Sequence, residues 1–368
     1  MNQKTKSIII TILFTVLLAG GAALCLTKPS AIFSESERRE LASFPALSAD
    51  TLLSGEFGTN FETYATERFP FRDFFRSVKA FVSTELFGKR DNNGLFEADG
   101  HISKLDAVEN PAMTDHAAKR FQFLYDTYLK EANTKVYLSI IPDKNMFLAE
   151  KNGYPALNYE SFIQAFRDKT PYMQYIDIVP LLDADDYYAT DSHWRQEKIT
   201  DIAETLGAAM GTDVAADYQV NTLDAPFYGV YHGQLAKPFA PDTLSYLSNE
   251  ALDNASVYYY DTGAPKEGPL YNMEKAYGRD PYEMFLSGSM PLVTIHNPGA
   301  KTDKKLIMFR DSYSSSLAPL LSAGYQTVTL VDIRYMQSAF VGQLIDFTDA
   351  DVLFCYGTTL LNNSLAMR

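Results

Sequence analysis

Two short stretches carry residue types that together can do acyl-transfer chemistry. The first is Arg310-Asp311-Ser312-Tyr313, inside residues 305–321, KLIMFRDSYSSSLAPLL. KLIMF suits a buried parallel strand and the residues from Tyr313 onward suit a helix, so Ser312 falls at a strand-to-helix turn. Such a turn lifts the hydroxyl clear of the sheet and aims the free N–H groups of the first helical turn at an oxyanion forming beside it. A serine hydroxyl is a weak nucleophile at neutral pH and needs a base, which itself needs orienting. The second stretch, Asp191-Ser192-His193-Trp194, supplies both groups. Residues i and i+2 of an extended segment project to the same side, so Asp191 can hold one ring nitrogen of His193 while the other serves as base. Trp194, the only tryptophan, can pack beneath that loop and fix its shape.

Plainer readings compete. Asp311 or Ser312 can cap the helix that follows, and Asp191 with His193 can be a structural pair at a surface turn. Asp-x-His is also a metal-ligand spacing, but the other histidines, His101, His116, His232 and His296, do not cluster as ligands do. Neither a metal nor a cofactor is expected.

The elements around these motifs alternate. A helix is expected from Thr114, with Ala117, Phe121, Leu124 and Tyr128 on one face. A strand follows at 135–141 (KVYLSII), then a helix around Phe162 and Phe166, a strand near 175–179, and a helix with Ile199, Ile202, Ala203 and Leu206 on one face. After KLIMF come TVTLV, a helix with Phe340, Val341, Leu344 and Ile345 on one face, and DVLFCY. Alternation of this kind implies βαβ units and a mostly parallel sheet. Residues 211–300 lose the pattern and read as an insertion of hairpins and loops bordering the site. In open parallel sheets the ligand lies outside the carboxyl ends of the strands. Those ends carry Lys144, Ser312, Arg334 and Tyr335, which makes Lys144, Arg334 and Tyr335 candidates to rim the cleft.

Composition sets wider bounds. The chain has 368 residues, 46% hydrophobic and 21% charged, as an ordinary globular protein does. A net charge of −14 with no basic patch to offset it argues against nucleic acid as a partner. Residues 7–26 are uncharged and long enough to cross a bilayer, with Lys4 and Lys6 before them. The positive-inside rule then places the remainder outside the cell, by a signal anchor or, if cleaved, by secretion. The expected domains are an anchor at 1–29, a helical or irregular segment at 30–112, and an α/β catalytic domain at 113–368. In the second of these, Phe71, Phe75 and Val78 share one helical face after Pro70. Cys25 and Cys355 are placed too far apart in the topology to form a useful bridge, so the exported region must rely on its core.

The two motifs together resemble the DHHW protein family, which is related to alginate O-acetyltransferases of the AlgJ and AlgX type within the SGNH hydrolase-like superfamily. SESERRELASFP, ERFPFRD, IPDKN, FRDSYS and VDIRY extend the resemblance over most of the exported region. It implies an SGNH-like three-layer α/β/α domain and a triad of Ser312, His193 and Asp191, with the Asp–His motif preceding the serine. Ser192 stands where the family name has its first histidine. The implied activity is transfer or hydrolysis of acetyl groups on a cell-surface polysaccharide, with a membrane-bound acyltransferase as donor partner. On this reading the backbone N–H groups of Ser312 and Tyr313 stabilise the oxyanion, assisted by Arg334 or Tyr335. The alternative is a carbohydrate-binding or scaffolding subunit without turnover.

Overall fold

The computed structural model describes residues 2–27, 31–132, 134–261 and 264–368. The expected boundary at residues 29 and 30 lies outside the described residues. Two compact units are present, one comprising Met1–Asn92 with Gly233–Pro238 and the other Asn93–His232 with Phe239–Arg368. The larger unit begins at Asn93 and includes the hairpin Leu95–Ala98/His101–Lys104.

The smaller unit contains α1 (Gln3–Thr27), α2 (Glu56–Glu67) and α3 (Arg72–Phe81). α1 is apolar and long enough to span a bilayer. α3 starts two residues after Pro70 because Phe71 adopts a left-handed conformation, φ 61°, which a helix cannot continue through.

The larger unit is an eight-stranded mixed sheet. Its strands are β1 (Lys135–Ile141), β2 (Gln174–Tyr175), β3 (Ser256–Tyr259), β4 (Lys266–Gly268), β5 (Leu292–His296), β6 (Thr302–Arg310), β7 (Tyr325–Val331) and β8 (Ala350–Gly357). Their order is β4-β3-β5-β7-β6-β8-β1-β2. The run from β7 to β2 is parallel, and β5, β3 and β4 pair antiparallel at the other edge. The stretch expected to be an insertion of hairpins and loops thus extends the sheet as well. It also holds a separate hairpin, Gln219–Phe227 with Asp242–Ser248.

Alternation along β6 separates two cores, as the pleat requires. Leu306 and Met308 join one cluster with Ile202, Leu206, Leu317 and Leu321, from α6 (Thr200–Ala209) and α7 (Ser314–Leu321). Ile307 and Phe309 join the other with Phe121, Leu124, Phe162 and Phe166, from α4 (Pro111–Leu124) and α5 (Tyr159–Lys169). This is the expected three-layer α/β/α arrangement, and it buries β6 on both faces up to Arg310. Ser312 is the first residue beyond that strand to regain partial exposure.

Candidate functional site

The site is built where β6 ends. Asp311, buried, accepts the Tyr313 N–H at 3.1 Å and the Gly357 N–H at 2.7 Å, tying the β6 turn to the end of β8. A Cβ on Gly357 would lie 2.9 Å from Cε2 of Tyr313, so only glycine permits this approach. Burial pushes the Asp311 carboxyl up; the Arg334 charge and the two N–H donors oppose it. With the turn fixed, the Ser312 hydroxyl points to His193.

His193 stands on a loop held from several sides. Lys144 Nζ donates to the carbonyls of Tyr188 (2.7 Å) and Ala189 (3.0 Å). The Asp242 carboxylate accepts the N–H groups of Ala189 and Thr190, both at 2.7 Å, and the Thr190 hydroxyl at 2.5 Å. Trp194, fully buried, donates its indole N–H to Tyr313 O (3.0 Å) and Ser316 Oγ (2.9 Å), pinning the loop to the start of α7. Gln196 Nε2 adds a bond to Ser316 O at 2.8 Å.

On this frame Asp191, His193 and Ser312 form one hydrogen-bonded chain. Asp191 Oδ1 lies 2.6 Å from His193 Nδ1, and His193 Nε2 lies 2.7 Å from Ser312 Oγ. The other Asp191 oxygen accepts the Val230 N–H at 2.9 Å. A carboxylate in this setting accepts, which puts the ring proton on Nδ1 and leaves Nε2 free to take the serine proton. Asp191 is buried at 1% exposure, whereas His193 and Ser312 remain half-buried and open to a reactant. Chemically, such a chain can raise the nucleophilicity of the hydroxyl and return the proton to a leaving group.

The remaining expected residues lie elsewhere in this geometry. Lys144 is not a rim residue: it is 1% exposed, its amine bonds two loop carbonyls, and burial pulls its pKa down to about 7. Tyr313 is buried, with its hydroxyl donating to Ser192 O at 2.8 Å and its N–H bound to Asp311, so neither donor is left for an oxyanion. Arg334 is paired with Asp332, Nη2 to Oδ2 at 2.6 Å and Nε to Oδ1 at 2.9 Å. Tyr335 is exposed and lies under the Arg334 guanidinium, 5.4 Å from it.

Sequence reading missed Asp242 and Tyr282. Tyr282, in the short turn Pro281–Met284, lies flat against the His193 ring, and its hydroxyl is 2.9 Å from Ser316 Oγ. Both residues come from the Tyr- and Asp-rich stretch whose register no periodicity reveals. Among the described residues no group of three or more His, Cys, Asp or Glu side chains is arranged to hold a metal ion.

No family model matches the chain, and no curated protein matches it. Solved structures do. The chain shares its fold with a DHHW family protein. That protein, from Eubacterium siraeum DSM 15702, is 20% identical with a TM-score of 0.60, over 75% of this chain and 95% of its own. PatB1 of Bacillus cereus is 20% identical with a TM-score of 0.58, over 73% of this chain and 96% of its own. A second PatB1 structure, carrying a sulfonyl adduct, is 19% identical with a TM-score of 0.57, over 73% and 95%. The DHHW-like fold agrees with the resemblance carried by the Asp191 and Ser312 motifs.

Proposed function

We propose that the protein is an acyl-transfer enzyme that moves acetyl groups on or off a cell-surface polysaccharide through an acyl-enzyme on Ser312. The observation that carries this reading is the continuous chain Asp191–His193–Ser312, with both hydrogen bonds at 2.6–2.7 Å. In the first half-reaction Ser312 Oγ attacks the acyl carbon as its proton passes to His193 Nε2. The tetrahedral centre then collapses, the bond to the donor oxygen breaks, and that oxygen takes the proton from Nε2. In the second, a sugar hydroxyl or water attacks the acyl-serine with the same proton path in reverse. Asp191 keeps the ring oriented and stabilises the imidazolium. The Ser312 N–H is the backbone donor left from the pair expected to face the oxyanion.

The polysaccharide and the acetyl group follow from the resemblance in the motifs, and the outside location from α1 read as a signal anchor. An exported enzyme meets no acetyl-CoA, so a membrane-bound acyltransferase is the donor partner of this reading.

The test is a chromogenic acetyl ester with mass spectrometry of the intact chain. Wild-type protein is expected to release the alcohol and to carry one acetyl group on Ser312, and Ser312→Ala to do neither. PatB1 has been seen with a sulfonyl adduct, and a sulfonyl fluoride is expected to modify Ser312 here and block the acetyl label. Undiminished turnover in Ser312→Ala, or a wild-type chain inert to every ester while binding glycan, overturns the proposal.

A further inference from the structure

α3 is amphipathic the wrong way round for a soluble unit. Its polar side faces inward: Arg72 pairs with Glu37 at 2.6 Å, Arg76 reaches Glu37 at 3.4 Å and donates to Gly233 O at 2.8 Å, and Ala80, one turn further along the same face, is fully buried. Its apolar side faces out. Phe74, Phe75, Val78 and Phe81 are 64%, 51%, 42% and 62% exposed and fall on one stripe at helical spacing. Leu86 and Phe87, each 72% exposed, continue beyond it. A contiguous exposed patch of large apolar side chains marks a surface made for another phase or partner.

We propose that this face of α3 lies in the surface of the lipid bilayer, as a second, in-plane contact beside the α1 anchor. The inference rests on reading α1 as membrane-embedded, and three observations choose lipid as the occupant. First, the tether is short: Thr27 ends α1, and four residue steps to Ala31 span at most roughly 15 Å. Second, Arg68 Nη1 donates to Ala31 O at 3.0 Å, so the chain leaving the anchor is clamped just ahead of α3. Third, Lys79, Lys89 and Arg90 are exposed cations in and just after this helix, while Arg68, Arg72 and Arg76 are taken up by backbone carbonyls and Glu37. Aromatic rings on one face with cationic residues around them are the make-up of helices that lie in the headgroup boundary and favour anionic lipid.

The test uses the full chain reconstituted at low protein-to-lipid ratio in phosphatidylglycerol/phosphatidylcholine vesicles, with or without bromine on the acyl chains. A tryptophan is placed outward in Phe81→Trp, and the unsubstituted chain serves as the control, since its single Trp194 is buried and gives a constant background. For a ring about 5–10 Å inside the headgroup boundary, Phe81→Trp emission is expected to fall roughly twofold on bromination, with the emission of the unsubstituted chain unchanged. Phe74→Trp, on the same face, repeats the measurement if Phe81→Trp does not fold. Flotation of the same samples reports the anchor separately. Protein that floats but shows no quenching at either outward position overturns this inference and leaves the anchor reading intact. Unquenched protein that cross-links as a dimer assigns the face to a second copy instead, which also overturns it. Protein that does not float overturns both.

Discussion

The ring of Tyr282 lies flat on the imidazole of His193, with centroids 3.9 Å apart and planes within 8°. Its hydroxyl is anchored 2.9 Å from Ser316 Oγ, the atom that also accepts the Trp194 indole N–H. One turn from the antiparallel side of the molecule therefore limits the tilt of the ring that must face Ser312 and Asp191 at once. Tyr282→Leu removes the flat support and is expected to lower kcat for ester turnover by about tenfold or more, since small misplacements of a reacting group are costly. Tyr282→Phe keeps the stack and should stay within about threefold of wild type. Equal losses in the two variants would show that the hydroxyl, not the ring face, is what matters.

Asp191 is loaded with donors: the His193 ring N–H, the His193 backbone N–H at 3.1 Å and the Val230 N–H at 2.9 Å. Asp191→Asn brings an NH2 group into a position where these three neighbours already donate. The amide must either meet Val230 N–H donor to donor or turn its NH2 to the ring, which reverses the His193 tautomer and removes the base from Ser312. The expected loss is about 10³–10⁴-fold in kcat. A change of less than about tenfold, measured on protein with an unaltered near-ultraviolet spectrum, would mean that Asp191 does not orient the base.

How much of this was legible beforehand differed by element, for physical reasons. KVYLSII, KLIMF and DVLFCY are buried on both faces after their first residue, and their largely apolar runs announce this, whereas TVTLV alternates, with Thr327 and Thr329 half-buried. The Asp191–His193 pair is legible because i and i+2 need only an extended backbone to meet. The strand expected near 175–179 shrinks to Gln174–Tyr175, since a 3₁₀ turn takes over at Val179–Leu181. Lys144 is misplaced by sequence reasoning because a polar residue after a strand normally meets solvent. Here the loop at Tyr188 and Ala189 covers it and offers two carbonyls instead. Tyr282 and Asp242 are invisible beforehand, because each acts through a partner more than forty residues away that only the tertiary fold selects.

Gly229 offers a test of how tightly the Asp191 loop is packed. A Cβ built there would lie 2.3 Å from Asp191 Cβ and 2.4 Å from Thr190 O, distances no side chain tolerates. Its own N–H donates to Thr190 Oγ1 at 2.8 Å, so the segment cannot retreat without breaking that bond. Gly229→Ala is expected to cost about 1–3 kcal/mol in a urea titration and to reduce turnover as Asp191 is pushed off its geometry. Ala tolerated at full stability and activity would mean that the loop moves freely, contrary to the close contact seen.

Lys144 predicts a pH dependence of stability. Burial pulls its pKa from 10.5 to about 7, against the pull of Asp191, Asp242 and Asp143, which favour the charged form. Below about 7 both folded and unfolded chains hold the proton, and the folded state bears the full cost of a buried ammonium. Between about 7 and 10.5 the unfolded chain keeps a proton that the folded chain has released, so stability rises with pH across that window. The neutral amine still has two hydrogens, one for each carbonyl it bonds. The expected slope from this group approaches about 1.4 kcal/mol per pH unit in urea titrations run across the window. Lys144→Met should flatten that slope while lowering stability at the alkaline end, where the carbonyls of Tyr188 and Ala189 lose their donor. If the variant keeps the wild-type slope, the titration belongs to another group and the amine is protonated throughout.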